Sequence, residues 1–191
     1  MANSKLIVVE GPQGAGKTTV TDFIRHKIPY TNLYRLSGSS DNTPSGKPKS
    51  VSMYNDLLDY IEKLQNKSIN LVFDRTFFTE YVYCNLGFKE FDYREEFLTF
   101  LERFASFDFD IYYINLYLSD TDEFEARLAR DGKGVNKYAK FSKESSVKQQ
   151  DEYMKVASEI QEKYGDKIHV VNIDTCVGID KVKEQIASLL S

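Results

Sequence analysis

The chain has 191 residues, 28% of them charged and 41% hydrophobic, which is enough to bury a sizeable core and ordinary for a globular protein in water. A net charge of −4 argues against extended nucleic-acid binding, although a local basic patch is compatible with it. The apolar run Leu6–Val9 is too short for a signal peptide and no membrane-spanning run follows it. Two distant cysteines, Cys84 and Cys176, fit no metal spacing, so the expectation is a cytoplasmic protein with reduced thiols and no membrane contact.

The first element is a short apolar strand, Leu6-Ile-Val-Val-Glu10, followed by Gly11-Pro-Gln-Gly-Ala-Gly16-Lys17-Thr18-Thr19. This is G-x-x-x-x-G-K-T between a strand and a helix, the P-loop pattern in the context it requires. Its glycines let the backbone turn tightly and converge several N–H groups on one point, where the helix N-terminus also favours an anion. Gly11, Gln13, Gly14, Ala15, Gly16, Lys17, Thr18 and Thr19 are therefore expected to hold the phosphates of a nucleoside triphosphate. Lys17 reaches the β- and γ-phosphates and the Thr18 hydroxyl holds Mg²⁺.

A helix runs from Gly16 to about Lys27, stopped by Pro29, with Arg25, His26 and Lys27 suiting its C-terminal dipole. His26 reads as a surface helix-end residue. Asn32–Leu36 is a second strand carrying Arg35. Ser37–Ser50 holds five Ser, two Gly and two Pro, the composition of a long loop of the functional or mobile kind. The next helix begins near Ser50 or Ser52 and shows Val51, Tyr54, Leu57/Leu58, Ile61 and Leu64 on one face.

Ile69–Phe73 is a third strand that runs into Asp74-Arg75-Thr76. Helices follow over Thr76–Leu86 and Tyr93–Ala105, then a strand Ile111–Leu118 and a helix from Ser119-Asp120 to about Arg130. A long helix Ser142–Tyr164, a strand Ile168–Ile173 and a closing helix through Ile179, Val182, Ile186 and Leu189/Leu190 complete the chain. Short apolar strands alternating with helices predict one α/β domain spanning 1–191. Its centre is a five-stranded parallel sheet with helices on both faces.

Ligands of open α/β sheets bind beyond the carboxyl ends of the strands. Asp74-Arg75 ends its strand as the P-loop ends the first. If those strands are neighbours, Asp74 approaches Mg²⁺ and Arg75 the phosphates. The carboxylate there either serves the metal or takes a proton from a nucleophile, and the guanidinium binds an oxyanion in two-pronged fashion. Arg35 is a further candidate for the same mouth. Between Arg127 and Lys143 two Arg and four Lys face one Asp. Arg127 and Arg130 share a helix face and Gly132 and Gly134 follow, so 127–143 is expected to be a helical lid that brings Arg127 and Arg130 to a transferring phosphoryl group.

Together these residues resemble the thymidylate kinase and deoxynucleoside kinase branch of P-loop kinases. Glu10–Thr19 is similar to the thymidylate kinase loop E-G-x-D-G-x-G-K-T-T, and Asp74–Cys84 is similar to that family's D-R-Y-x-x-S-x-x-A-Y-Q. The resemblance implies a P-loop NTPase fold and Mg²⁺-dependent phosphoryl transfer from ATP to a deoxynucleoside monophosphate, often by a homodimer. Lys17, Asp74, Arg75, Arg127 and Arg130 would do the chemistry, with Thr18 and Asp74 at the metal. Arg35, Arg75 and Tyr83 would bind the acceptor. Gln13 stands where the family has Asp, Cys84 where it has Gln, and Arg35-Leu36-Ser37 replaces R-E-P.

The leading reading is thus a nucleoside monophosphate kinase of uncertain base, because a phosphate acceptor is already ionised and needs no strong base. The alternative is a deoxynucleoside kinase, whose 5′-hydroxyl would need Asp74 or Asp41 as base. A polynucleotide or modified-base acceptor is less favoured by the net charge. A regulatory NTP switch is disfavoured because neither Asn66-Lys67 nor Asn136-Lys137 has the Asp two places on that guanine reading needs.

Overall fold

The computed structural model describes residues 4–132 and 141–191. Its elements in chain order are β1 Lys5–Glu10, α1 Lys17–Lys27, β2 Thr31–Arg35, α2 Gly46–Lys63, β3 Asn70–Asp74, α3 Phe77–Asn85 and α4 Arg94–Ala105. They continue with β4 Asp110–Tyr117, α5 Glu123–Arg130, α6 Lys143–Tyr164, β5 Ile168–Asp174, a single 3₁₀ turn Thr175–Val177 and α7 Ile179–Leu189. The strands form one parallel sheet in the order β2-β3-β1-β4-β5.

Strand side chains alternate between two faces, and the burial follows that alternation. Leu6 and Val8, Leu71 and Phe73, and Ile111 and Tyr113 pack into a layer with α2, α3, α4 and α6. Ile7 and Val9, Val72, and Tyr112 and Ile114 pack on the opposite face with α1, α5 and α7. Both faces are covered, which is why the strands read as continuous apolar runs.

The first layer is built on aromatic rings. Phe78, fully buried, lies 4.3 Å from Phe77, 4.8 Å from Tyr113, 5.7 Å from Phe104 and 5.9 Å from Phe97 between ring centres. Several of these contacts are edge-to-face, the arrangement that ring quadrupoles favour. This cluster seats the start of α3, and with it Asp74 and Arg75.

Two element boundaries differ from expectation by more than one residue. α2 starts at Gly46, inside the stretch read as loop. Pro48 falls in its first turn, where an N–H would have no partner within the helix, so proline costs nothing there. The preceding turn is tied by Asp41, which accepts from the Thr43 N–H at 3.1 Å, the Thr43 hydroxyl at 2.7 Å and the Ser45 hydroxyl at 2.9 Å. α5 starts at Glu123 rather than at Ser119-Asp120, because the Asp120 carboxylate accepts from the Asp122 N–H at 3.0 Å and holds a turn instead. No helix of the described residues is long and apolar enough to cross a membrane.

Phe78→Ala would leave a cavity among rings that cannot collapse into it, and urea unfolding is expected to show a loss of about 3–5 kcal/mol. A loss below about 1 kcal/mol would mean that the aromatic layer does not hold α3.

Candidate active site

Sheet topology brings the predicted site together. β1 and β3 are neighbours with Val9 opposite Asp74, and β2 pairs with β3 with Arg35 opposite Asp74. The loop after β1, the Asp74-Arg75 pair and Arg35 therefore leave one edge of the sheet side by side. Arg75 has φ of 71°, in the left-handed region that a side chain enters at a cost of about 1 kcal/mol or more. Its N–H donates to the Val9 carbonyl at 3.2 Å, and the next N–H, of Thr76, donates to Glu10 Oε1 at 2.8 Å. Those two bonds fix the turn that directs Arg75 into the cleft.

Gly11 has φ of 145°, and a Cβ there would sit 2.6 Å from the Leu116 carbonyl oxygen, so the start of the P-loop admits only glycine. Lys17 Nζ donates to the Gly11 carbonyl at 2.8 Å and the Pro12 carbonyl at 2.7 Å, which curls the ammonium over the loop. The Thr18 hydroxyl lies 3.4 Å from Asp74 Oδ2. The same Asp74 oxygen is 3.6 Å from Arg35 Nε, and Arg35 Nη2 reaches Asp22 Oδ1 of α1 at 2.6 Å.

Gln13 is held from three sides. Its N–H donates to Gln149 Oε1 at 3.1 Å, its carbonyl accepts from the Ser146 hydroxyl at 3.0 Å, and its Nε2 donates to the Tyr83 hydroxyl at 3.2 Å. Two of these anchors come from α6, more than a hundred residues away. The Gln13 carboxamide thus joins the P-loop to α3.

A cleft of about 650 Å³ is lined by Gln13, Gly14, Gly16, Lys17, Thr18, Thr19, Arg35, Asp74, Arg75, Arg130 and Asp131. Four cations face two carboxylates there. Arg127 is not in this cleft. It lines a second cavity of about 810 Å³ behind the P-loop, with Thr19, Val20, Cys176, Ile179 and Val182. Its guanidinium donates to Thr175 Oγ1 at 2.8 Å, the Thr175 carbonyl at 2.9 Å and Glu123 Oε2 at 2.7 Å, and Thr175 Oγ1 donates to the Ala15 carbonyl at 3.0 Å. The two arginines expected to act together are divided, for Arg130 lines both cavities and Arg127 only the second. Of the expected lid, residues 133–140, with Lys133, Gly134, Lys137 and Lys140, lie outside the described residues.

Asp41, the alternative base, is absent from the cleft lining. It is tied to Thr43, Ser45 and Lys49, and those contacts, Lys49 foremost, hold its carboxyl below the usual carboxylate range. His26 is exposed at the end of α1, as expected, with Nδ1 2.7 Å from the Asp22 carbonyl.

Sequence reasoning missed Asp22, Ser146, Gln149 and Thr175, which act through partners far away in the chain and follow no short motif. It also passed over Glu10 as a functional group. That carboxylate is fully buried, accepts from the Thr76 N–H and hydroxyl and, at 2.6 Å, from the Thr79 hydroxyl, which itself contacts the Tyr153 hydroxyl at 2.7 Å. Burial pushes its pKa up to about 7 against the pull of these donors.

Thr18 and Asp74 offer a hydroxyl and a carboxylate oxygen side by side, the hard donors that suit Mg²⁺ when phosphates and water complete its shell. Among the described residues no group of three or more His, Cys, Asp or Glu side chains is placed to hold a metal by itself.

No protein-family model matches the chain, and no curated protein matches it in sequence. Its fold does match solved structures. Over the whole of this chain and 92% of the other it is similar to thymidylate kinase from Candida albicans, with TM-score 0.67 and 17% identity. Thymidylate kinase from Ehrlichia chaffeensis gives TM-score 0.61 and 14% identity over 99% of this chain and all of the other. Deoxyadenosine kinase from M. mycoides, solved with bound dCTP, gives TM-score 0.57 and 20% identity over 97% of this chain and 98% of the other. The chain has the P-loop kinase fold shared by thymidylate and deoxynucleoside kinases.

With its folded pKa raised, Glu10 contributes stability that is complete below its unfolded value of 4.5 and is lost as pH rises through about 7. Glu10→Gln removes that titration. Urea unfolding between pH 5 and 8 is expected to show wild-type stability falling relative to the variant as pH rises, by up to about 3 kcal/mol. A wild-type-to-variant difference that is flat with pH would mean that Glu10 does not titrate in this window.

Proposed function

We propose that the protein transfers the γ-phosphoryl group of ATP to the phosphate of a deoxynucleoside monophosphate, giving ADP and a deoxynucleoside diphosphate. The observation that carries this reading is the charge balance of the cleft. In the lining formed by the described residues, Lys17, Arg35, Arg75 and Arg130 outnumber Asp74 and Asp131, and Asp74 is already engaged by Thr18 and Arg35. A site so rich in cations suits two phosphate groups brought together. With Asp131 paired to Arg130 at 3.5 Å as well, the lining suits an acceptor that is already an anion, since a hydroxyl would need deprotonation.

In this reading the P-loop amides and Lys17 hold the β- and γ-phosphates. An oxygen of the acceptor phosphate, held by Arg75 with Arg35 beside it, forms the new bond to the γ-phosphorus. The bond from the γ-phosphorus to the bridging oxygen breaks, and that electron pair leaves with ADP. Mg²⁺ held by Thr18, Asp74 and the phosphates would neutralise charge during transfer. Arg130 reaches the cleft from α5 and adds positive charge where the phosphates meet. Arg127 and the apolar walls of the second cavity suit the base of ATP, behind the P-loop from the acceptor.

The test is ADP formation with ATP, Mg²⁺ and a panel of deoxynucleosides, deoxynucleoside monophosphates and 5′-hydroxyl oligonucleotides. Turnover is expected with monophosphates. Turnover with nucleosides alone, or hydrolysis without dependence on an acceptor, overturns the reading. Lys17→Ala is expected to reduce turnover on the order of 10³-fold. Arg75→Ala is expected to raise the acceptor KM by about 10- to 100-fold while sparing that of ATP. Unchanged acceptor kinetics in the Arg75 variant would show that the acceptor binds elsewhere.

A further inference from the structure

Asp22 of α1 bears on the cleft through a single arginine. On the side of its guanidinium away from Cδ, Arg35 offers two parallel N–H bonds, from Nε and Nη2. These are the two prongs with which an arginine grips one carboxylate. In the structure two different carboxylates share that fork. Nη2 lies 2.6 Å from Asp22 Oδ1, while Nε lies 3.6 Å from Asp74 Oδ2, beyond hydrogen-bond range. Arg35 and Asp74 are register partners on β2 and β3, so their side chains leave the sheet on the same face, next to one another. In that register a lone Arg-Asp pair would close both prongs on the one carboxylate.

The carboxylate that the divided fork leaves open is the one beside Thr18. The same Asp74 Oδ2 is 3.4 Å from the Thr18 hydroxyl, and these two oxygens are the ones that suit Mg²⁺. An Arg35 closed on Asp74 with both prongs would set a cation where the metal has to sit. Asp22 is placed to prevent this because it follows Thr18 by four residues on α1, which puts both on one face of the helix. Arg35 and Asp74 line the cleft and, among the described residues, Asp22 does not, so its influence on a ligand runs through Arg35. The Arg35 and Asp22 side chains are 44% and 47% exposed, and a pair so open to water contributes little to stability. Its consequence is where it leaves the guanidinium.

We propose that Asp22 is a positioning residue of the phosphate site. By taking one prong of Arg35 it keeps Asp74 open to the metal of the nucleotide and keeps the guanidinium in the mouth for the acceptor phosphate. This rests on the reading that Thr18 and Asp74 serve the Mg²⁺ of ATP and that Arg35 meets the acceptor. Without the Asp22 carboxylate, the freed Nη2 joins Nε on Asp74, and one new ion pair withdraws a metal ligand and an acceptor cation together. A carboxylate near a metal also attracts it directly through space, but that attraction is the same whether or not Arg35 is present. Dependence on Arg35 therefore separates the positioning role from simple electrostatics.

A double-mutant cycle read by binding tests this. Affinity for the β,γ-imido analogue of ATP is measured by calorimetry with Mg²⁺ and with EDTA, and the ratio of the two reports what the metal contributes. Asp22→Asn is expected to lower that ratio by about 3- to 10-fold when Arg35 is present, and by less than about 2-fold in the Arg35→Gln background. Asp22→Glu, which keeps a carboxylate, is expected to hold the ratio within about 2-fold of the wild type. The urea midpoint of each Asp22 variant is expected to stay at the wild-type value, as suits an exposed pair. A ratio untouched by Asp22→Asn, an equal loss in both backgrounds, a loss as large in Asp22→Glu, or a large fall in the urea midpoint overturns the proposal alone. A wild type whose affinity for the analogue does not respond to Mg²⁺ overturns the metal reading and this proposal with it. Absence of turnover with every monophosphate overturns the phosphorylation reading, and the cycle, which reads binding alone, still accepts or rejects the role of Asp22.

Discussion

Glu10 closes the central strand with a carboxylate shut away from water, and it spends that charge on the neighbouring element rather than on a ligand. It accepts from the Thr76 backbone and hydroxyl and from the Thr79 hydroxyl, so the end of β1 is tied to the start of α3. The P-loop begins one residue after Glu10, and Arg75 sits one residue before Thr76. Holding those two points together holds the P-loop and Arg75 sides of the cleft at a fixed separation. The proposed phosphoryl transfer would depend on such positioning, because that reaction leaves little covalent chemistry for a protein to supply. The left-handed backbone of Arg75 is sustained by the same tie.

Around that tie the cations take different parts. Lys17 opens α1 and Arg75 follows the end of β3, whereas Arg35, at the end of β2, is steadied by Asp22 and Asp74. Arg127 does structural work, clamping the Thr175 turn to the back of the P-loop through a side chain with Glu123 as its counter-ion. It lines the second cavity, with Nη1 3.4 Å from the Gly14 carbonyl of the P-loop, while Arg130, one turn on, lines both spaces.

The segment between β2 and α2 shows how polar composition can mislead. Asp41, Thr43 and Ser45 satisfy one another, and the backbone at Ser39 and Asn42 is bonded to Lys89 and Glu90. The composition that reads as a loose loop is here the means of fastening one. Gln13 is a similar case: the carboxamide is gripped by Tyr83 while its backbone is gripped by Ser146 and Gln149, so it serves as a joint between the P-loop, α3 and α6.

What the sequence determined by itself was local. The alternation of short apolar strands with helices, the P-loop between strand and helix, and the Asp-Arg pair at a strand end all follow from spacing within a few residues, and so did the parallel sheet and most of its element bounds. The start of α2 was misread because a proline in the first turn looks the same in sequence as one in a loop. Only the tertiary structure decided which strands are neighbours, and hence that Asp74, Arg75 and Arg35 share a mouth with Lys17. It also decided that Arg127 lines the second cavity, that Glu80 and Lys89 meet in the interior, and that Gln149 reaches Gln13. The physical reason is common to all of these. A hydrogen bond or an ion pair depends on distance in space, and side chains far apart in the chain carry no periodic or motif signal of the partner they will meet.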